Sequence, residues 1–312
     1  MSILHRLSLP LAAAMAAITI APTRAVAWDG PTHMAIAMIA WDHMTPAARA
    51  AAVRLLLSAP ADAELASLRP PTGTTAERDR TLFALAATWP DIVRASRPAA
   101  RHAYHHGSWH YVDQYWETAG GIPRPVTRFR SPREDAGERI TSLSRDLAIG
   151  SGTRAERGVA LAWILHLVGD ITQPLHNSSR VTPEDPRGDR GGNTVKLGPQ
   201  GESLHWFWDR ALTISIPSQP GEEPIAYATR LATLVQRDRP RTSLAGRITP
   251  ERVDIWEREG LELSQRDVYT PEIVPGQDPP APYRARALSI AETQVALAGY
   301  RLAELLDRVL GS

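Results

Sequence analysis

The chain has 312 residues and 43% hydrophobic content, enough to bury one large core. Its 35 basic and 34 acidic residues exclude the broad cationic surface that drives non-specific duplex binding, while leaving room for a substrate held by a few contacts. With no cysteine, disulfides and thiolate metal sites are excluded, so core packing or metal ions bound by other side chains must hold the fold.

Along the chain, Arg6, an apolar run over 7–22 and the small residues Ala25-Val26-Ala27 form a secretory signal in its expected order. About 15 apolar residues interrupted by Pro10 are short for the roughly 20 of a spanning helix, so cleavage between Ala27 and Trp28 is expected. Cleavage removes Arg6 and Arg24 but no acid, leaving a near-neutral chain over 28–312, secreted or periplasmic. Thr45-Pro46 predicts a capped helix to about Ser58, and a second pattern covers 76–88. Ser131-Pro132 predicts a helix ending near Gly150. Thr153 and Glu156 form a capping box that opens a helix to about Asp170. Further helices are expected over 203–213, 222–238, 249–264 and 284–310, with loops at 118–126, 181–201, 214–221 and 270–283 and a short strand over 193–197. With no repeat and no clear linker, the economical reading is all-α, a single helical domain with long loops and one short hairpin. Two helical lobes divided near 214–221 are the alternative.

Four places carry chemistry. They are Trp28-Asp29-Gly30-Pro31-Thr32-His33; Trp89-Pro90-Asp91 with Arg94 and the later Trp109-His110-Tyr111-Val112-Asp113; the run 166–176; and Leu204-His205-Trp206-Phe207-Trp208-Asp209. His166 with Asp170, and His205 with Asp209, are four residues apart, so each pair shares a helix face. Zn²⁺ accepts such a nitrogen and oxygen mixture. Pro174 stops the first helix and lets His176 turn back toward the same centre. One such pair is usually an ion pair, but two of them in apolar, Trp-rich helices predict a metal site, with its nuclearity open.

The ordered motifs resemble the secreted S1/P1-type trinuclear zinc nucleases, which share a helical fold with bacterial zinc phospholipases C. The likeness runs through Trp28 and His33, Trp89-Pro90-Asp91, 110–113, 166–176, Gly191-Gly192-Asn193, His205 with Trp208-Asp209, Trp256 with Glu259, Val268-Tyr269, and 298–306. It implies a fold built around three Zn²⁺ ions. One ion falls to Asp91, His110, His166 and Asp170. A second falls to Asp170, His33 and the α-amine and carbonyl of Trp28, and a third to His176, His205 and Asp209. The resemblance also implies an endonuclease that hydrolyses single-stranded DNA and RNA to 5′-phosphates, with 3′-nucleotidase activity as an extension. In this reading Asp91 orients or deprotonates the attacking water and Arg94 clamps phosphoryl oxygens. Tyr111 and Asp113 contact a nucleobase, and Asn193 orders the adjacent loop. For three of these residues the plainer roles are a salt bridge (Arg94), core packing (Tyr111) and a turn (Asn193). No stable membrane association and no obligate protein partner are expected.

Two other functions fit part of this pattern: a zinc phospholipase C, and a zinc-stabilised binding protein without catalysis. Asp113 and the loop at 191–193 favour nucleotides over lipid. His102, His105 and His106 are expected to be solvated loop residues, His43 structural, and Trp163, Trp206 and Trp208 core. Asn177-Ser178-Ser179 is a formal glycosylation sequon. The chain departs from the family in having no cysteine, in Gly260 after Glu259, and in Gln114-Tyr115-Trp116-Glu117 where some relatives place a basic side chain. An Arg-, Ala- and Pro-rich composition, with Lys196 as the only lysine, fits a bacterial member.

Overall fold

The structure, a computed structural model, describes residues 28–95 and 102–311. The expected signal segment lies outside the described residues. Helix α1 (Gly30–His43) is capped by Asp29, whose carboxylate accepts from the Thr32 N–H, with Pro31 pre-set for the first turn. Residues 34–40 of α1 are all buried, so it is a central rod rather than an amphipathic surface helix. It packs against the long terminal helix α12 (Ala281–Leu310), against α9 (Pro224–Asp238) and against α3 (Thr75–Ala86).

Further helices among the described residues complete the bundle. They are α2 (Pro46–Leu56), α4 (Trp89–Ala95), α5 (Ala136–Ala148), α6 (Arg154–Asp170), α7 (Leu204–Asp209), α8 (Ala211–Ser215), α10 (Arg241–Ile248) and α11 (Val253–Leu263). Thr45 and the Thr153–Glu156 capping box open α2 and α6 as expected. The expected helix start at Ser131-Pro132 is corrected. Asp135 caps α5 instead, and Ser131 stays in the loop, where its Oγ accepts from the Asp113 N–H. Arg210, at φ −113° and ψ 9°, breaks the expected 203–213 helix into α7 and α8. Thr249 at φ 41° separates α10 from α11 where one helix from 249 was expected.

Strand β1 (Tyr115–Ala119) pairs antiparallel with β2 (Ile122–Pro125), placing a hairpin in the expected 118–126 loop, and parallel with β3 (Ser179–Arg180). β4 (Lys196–Leu197) pairs with β5 (Glu202–Ser203). Arg301 of α12 is fully buried, bonds Glu259 of α11 at 2.6 Å and lies over the Trp256 ring, locking these two helices together. No described helix is long and apolar enough to cross a membrane.

Candidate metal centre

Six segments deliver histidines and carboxylates to one end of the helical core. α1 carries His33, α4 carries Asp91, and the 3₁₀ turn Gly107–His110 carries His110. α6 carries His166 and Asp170, the 3₁₀ turn Pro174–Asn177 carries His176, and α7 carries His205 and Asp209. As its sequence predicts, α6 ends at Asp170, and the turn after Pro174 brings His176 back. A Cβ at Gly169 would lie 2.8 Å from His33 Nδ1, so glycine there lets α1 and α6 approach closely enough to stack His33 on His166 at 4.1 Å.

Asp170 is the hub. His33 Nε2 lies 3.3 Å from its Oδ1, while His110 Nδ1 and His166 Nε2 lie 2.9 and 3.2 Å from its Oδ2. Asp91 Oδ1 approaches His166 Nε2 at 3.9 Å. In a neighbouring group, His176 and His205 place their Nε2 atoms 3.8 and 3.6 Å from Asp209 Oδ1. Three sets result, the first two sharing His166: His33, His166 and Asp170; Asp91, His110 and His166; and His176, His205 and Asp209. Within each set the ligand atoms lie within 4.8 Å of one another.

The hydrogen-bond accounting tests whether cations fit. Among the described residues, both nitrogens of His33, the Nε2 atoms of His110, His176 and His205, Asp91 Oδ1 and Asp170 Oδ1 are buried without a hydrogen-bond partner. Each unpaired buried polar atom costs about 1–3 kcal/mol. Seven of them together rival the whole net stability of a domain, about 5–15 kcal/mol. Meanwhile His166, His176 and His205 each direct Nδ1 at a backbone carbonyl, of Ala87, His110 and Gly191, at 2.7–2.8 Å. A carbonyl only accepts, so each Nδ1 donates, and in the neutral imidazole each Nε2 keeps a lone pair facing the cluster. This is how metal-ligating imidazoles are oriented. The residues fit divalent cations.

Burial lowers the pKa of His33, His110, His176 and His205, favouring the neutral, ligating imidazole. Burial opposes charge on His166 as well, but Asp170 and Asp91 beside it push it up to about 9. Burial would raise Asp170, yet the charge of His166 beside it and the close imidazoles of His110 and His33 hold it well below the usual carboxylate range. Burial pushes Asp209 up to about 7, where His205 and Gln173 only partly offset it.

Family models decide between the readings of this cage. The family described as S1/P1 Nuclease matches residues 28–311. The chain belongs to the S1/P1 nuclease family. A curated relative, Endonuclease 2 of Arabidopsis thaliana, is 27% identical over 186 residues, covering 54% of this chain and 58% of that protein. The match thus spans little more than half of that relative's length.

The other expected site residues of this family member fall at different distances from the cluster. Trp28 is fully buried. Its indole donates to Thr172, and the following N–H, of Asp29, donates to the Asp209 carbonyl at 3.1 Å, which anchors Trp28 between two ligand-bearing segments. Arg94 stands one turn beyond Asp91 on α4 and is half-buried. The Tyr111 ring lies 4.6 Å from that of His176, and burial pushes its hydroxyl well above the usual range. Asp113 borders an open cleft of about 530 Å³ also lined by Tyr115, Phe129 and Arg130. Asn193 holds the Arg190 carbonyl through its amide, the plain turn role.

Several sequence readings change. His106 stacks on Trp109 at 3.8 Å and is half-buried rather than solvated, and His105 is half-buried too, while His102 is exposed. Asn177 is fully buried, with Nδ2 donating to the carbonyls of Ile171 and Gln173, so the sequon is closed in the folded chain. His43 is structural as expected, bonded to Gln236 and set edge-on to Tyr300. Sequence reasoning missed Gln173, whose Nε2 holds Asp209 Oδ1 at 2.7 Å, and the carbonyls of Ala87, His110 and Gly191. Gln173 sits inside the 166–176 motif and was findable there; a backbone carbonyl has no residue signature.

Proposed function

We propose that the chain is a zinc-dependent endonuclease that hydrolyses single-stranded DNA and RNA to 5′-phosphate products, with 3′-nucleotidase activity as an extension of the same site. The observation that carries this reading is the cluster of buried lone pairs that no protein donor satisfies. Zn²⁺ bonds to nitrogen and oxygen at about 2.0–2.1 Å, which sets ligand atoms about 3.3 Å apart around a tetrahedral ion. The separations of 2.9–3.9 Å among the cluster atoms bracket that spacing. Three ligand sets, two of them sharing His166, support three ions, and membership of a nuclease family supports nucleic acid over phospholipid.

The ligand sets proposed here are those the family resemblance implies, and the grouping of the side chains supports them. Asp91, His110, His166 and Asp170 hold one ion; His33, Asp170 and the Trp28 α-amine and carbonyl hold a second; His176, His205 and Asp209 hold a third. The Trp28 role requires a free amine, hence export and cleavage after Ala27, and the family match beginning at residue 28 supports it. Bound zinc supplies Lewis acidity, making water a nucleophile near neutral pH and stabilising charge on phosphate oxygens.

The chain supplies the rest. Asp91 has 15% side-chain exposure against none for His166 and Asp170, so it is the carboxylate of the inner sets that meets solvent. Its carboxylate receives the proton of the attacking water. Arg94, one turn along α4, holds non-bridging phosphoryl oxygens. Tyr111 beside His176 and Asp113 at the cleft contact an unpaired base, which suits single strands because a duplex hides its base faces.

Purified protein beginning at Trp28 is assayed on single-stranded DNA, RNA, a 3′-nucleotide and phosphatidylcholine, with and without chelator. Chelator-sensitive cleavage of single strands is expected. Hydrolysis of phosphatidylcholine alone, or activity indifferent to chelator, overturns the reading.

A further inference from the structure

Residues 124–133 include Arg124, Arg128, Arg130 and Arg133 and no acid, in a chain whose charges otherwise nearly balance. Three hydrogen bonds fold this segment back along 111–115. The Val126 N–H donates to the Tyr115 carbonyl at 2.8 Å, the Asp113 N–H to Ser131 Oγ at 3.1 Å, and the Ala136 N–H to the Tyr111 carbonyl at 3.1 Å. The arginines are thus laid beside the two residues assigned to an unpaired base, Tyr111 and Asp113. Among the described residues, neither Arg128 nor Arg130 has a carboxylate within 4.0 Å, so both remain available to phosphate.

Between the segment, β1 and α11 lies the cleft of about 530 Å³ that Asp113 borders. That volume falls within the about 300–1,000 Å³ of small-ligand clefts. Its wall carries the rings of Tyr115 and Phe129, 5.2 Å apart, with the Arg128 guanidinium 5.0 Å from the Phe129 ring centre. Arg130 lines it from the same loop, and Arg258 and Glu262 line it from α11. Phe129 is half-buried and stands outside the hydrophobic core that takes the chain's other two phenylalanines, Phe83 and Phe207. Rings beside cations, outside the core, are what a stacked base and its phosphate require.

We propose that this cleft is a second nucleotide subsite, which takes the nucleotide on the 5′ side of the base held at Tyr111 and Asp113. Its base lies against the Phe129 and Tyr115 rings and its phosphate meets Arg130. The direction follows from the chemistry: a nucleotide whose 3′-phosphate sits at the metal centre must continue away from that centre through its 5′ oxygen. The inference deepens the single-strand reading above and rests on it.

Steady-state kinetics on the zinc-loaded protein beginning at Trp28 test it with two substrates. A thymidine dinucleotide fills only the metal centre and the first base site, whereas a thymidine hexanucleotide also reaches the cleft. Phe129→Ala and Phe129→Leu raise KM for the hexanucleotide about 5–150-fold, the scale of one lost stacked base, and leave the dinucleotide's KM and both kcat values unchanged. Leucine keeps the apolar bulk without the ring, so it separates stacking from loop packing. Arg130→Ala lowers the slope of log KM against log salt by about 0.7 for the hexanucleotide alone, as expected for one phosphate contact on a single strand. Arg54→Ala, exposed on α2, matches wild type. The inference is overturned if the Phe129 variants raise KM for both substrates alike or for neither, if Phe129→Leu keeps the wild-type KM, or if Arg54→Ala moves the salt slope as Arg130→Ala does. Wild type that cleaves neither substrate defeats the single-strand reading itself, a separable result.

Discussion

His166 Nε2 lies 3.2 Å from Asp170 Oδ2, one turn along α6, and neither side chain has any solvent exposure. A helical register thus places an imidazole and a carboxylate in contact where water cannot screen them. Asp170 also meets His33 and His110, so three segments distant in sequence converge on one carboxylate.

Removing that convergence point has more than a local effect. Asp170→Ala is expected to lose two of the three proposed zinc ions, because the proposed ligand sets share it between two of them. Activity falls by more than the about 10–100-fold typical of changes to outer partners. Metal analysis and single-strand hydrolysis measure both. Full zinc content in the variant would contradict the shared role.

Asp91 is the carboxylate to which proton transfer is assigned under the proposed function. For Asp91→Asn in excess zinc, kcat is expected to fall about 10²–10⁴-fold, the range for a positioned acid or base, with KM little changed. Steady-state kinetics on a single-stranded oligonucleotide read this directly, and an unchanged kcat removes Asp91 from proton transfer.

Tyr111 is assigned to base stacking rather than to packing alone. Tyr111→Ala is expected to raise KM for single-stranded oligonucleotides about 5–150-fold, from the loss of about 1–3 kcal/mol of stacking. Tyr111→Phe keeps the ring and should keep KM. A melting-temperature loss in the alanine variant with no change in KM would leave only the packing role.

Glu257, on α11 and outside the three ligand sets, gives a pH signature of its own. Burial, then Asp135 and Asp254, push its carboxyl up to about 7 from 4.5. Between those values the folded chain keeps a proton that the unfolded chain releases. Its contribution to stability is therefore fully present below about 4.5 and lost as pH rises through about 7. Glu257→Gln is expected to raise the melting temperature at pH 8 but not at pH 4. An equal effect at both pH values would refute this account.

Much of this architecture was written in local signals. Thr45, the Thr153–Glu156 box and the i,i+4 pairs His166–Asp170 and His205–Asp209 are short-range chemistry, and all four appear in the structure as read. Helix α1 was not read as a helix. It is buried all round and shows no apolar stripe, although Asp29 and Pro31 mark its start. Asp135 outcompeted Ser131 as a cap because a carboxylate near the N-terminus also answers the helix dipole. The stacking of His106 on Trp109, and the bond from His205 to the Gly191 carbonyl, depend on tertiary approach and on backbone atoms. No pattern of residue types encodes them.

The central claim is that these side chains, with the amine of Trp28, form a three-zinc centre on which nuclease activity depends. Zinc per chain, measured on protein beginning at Trp28 and on protein carrying one extra residue before it, tests this most directly. Three zinc ions and full single-strand hydrolysis are predicted for the first, with fewer ions and little activity for the second. Equal zinc and equal activity in both would contradict the role of Trp28, and hydrolysis that survives complete zinc removal would contradict the centre as a whole.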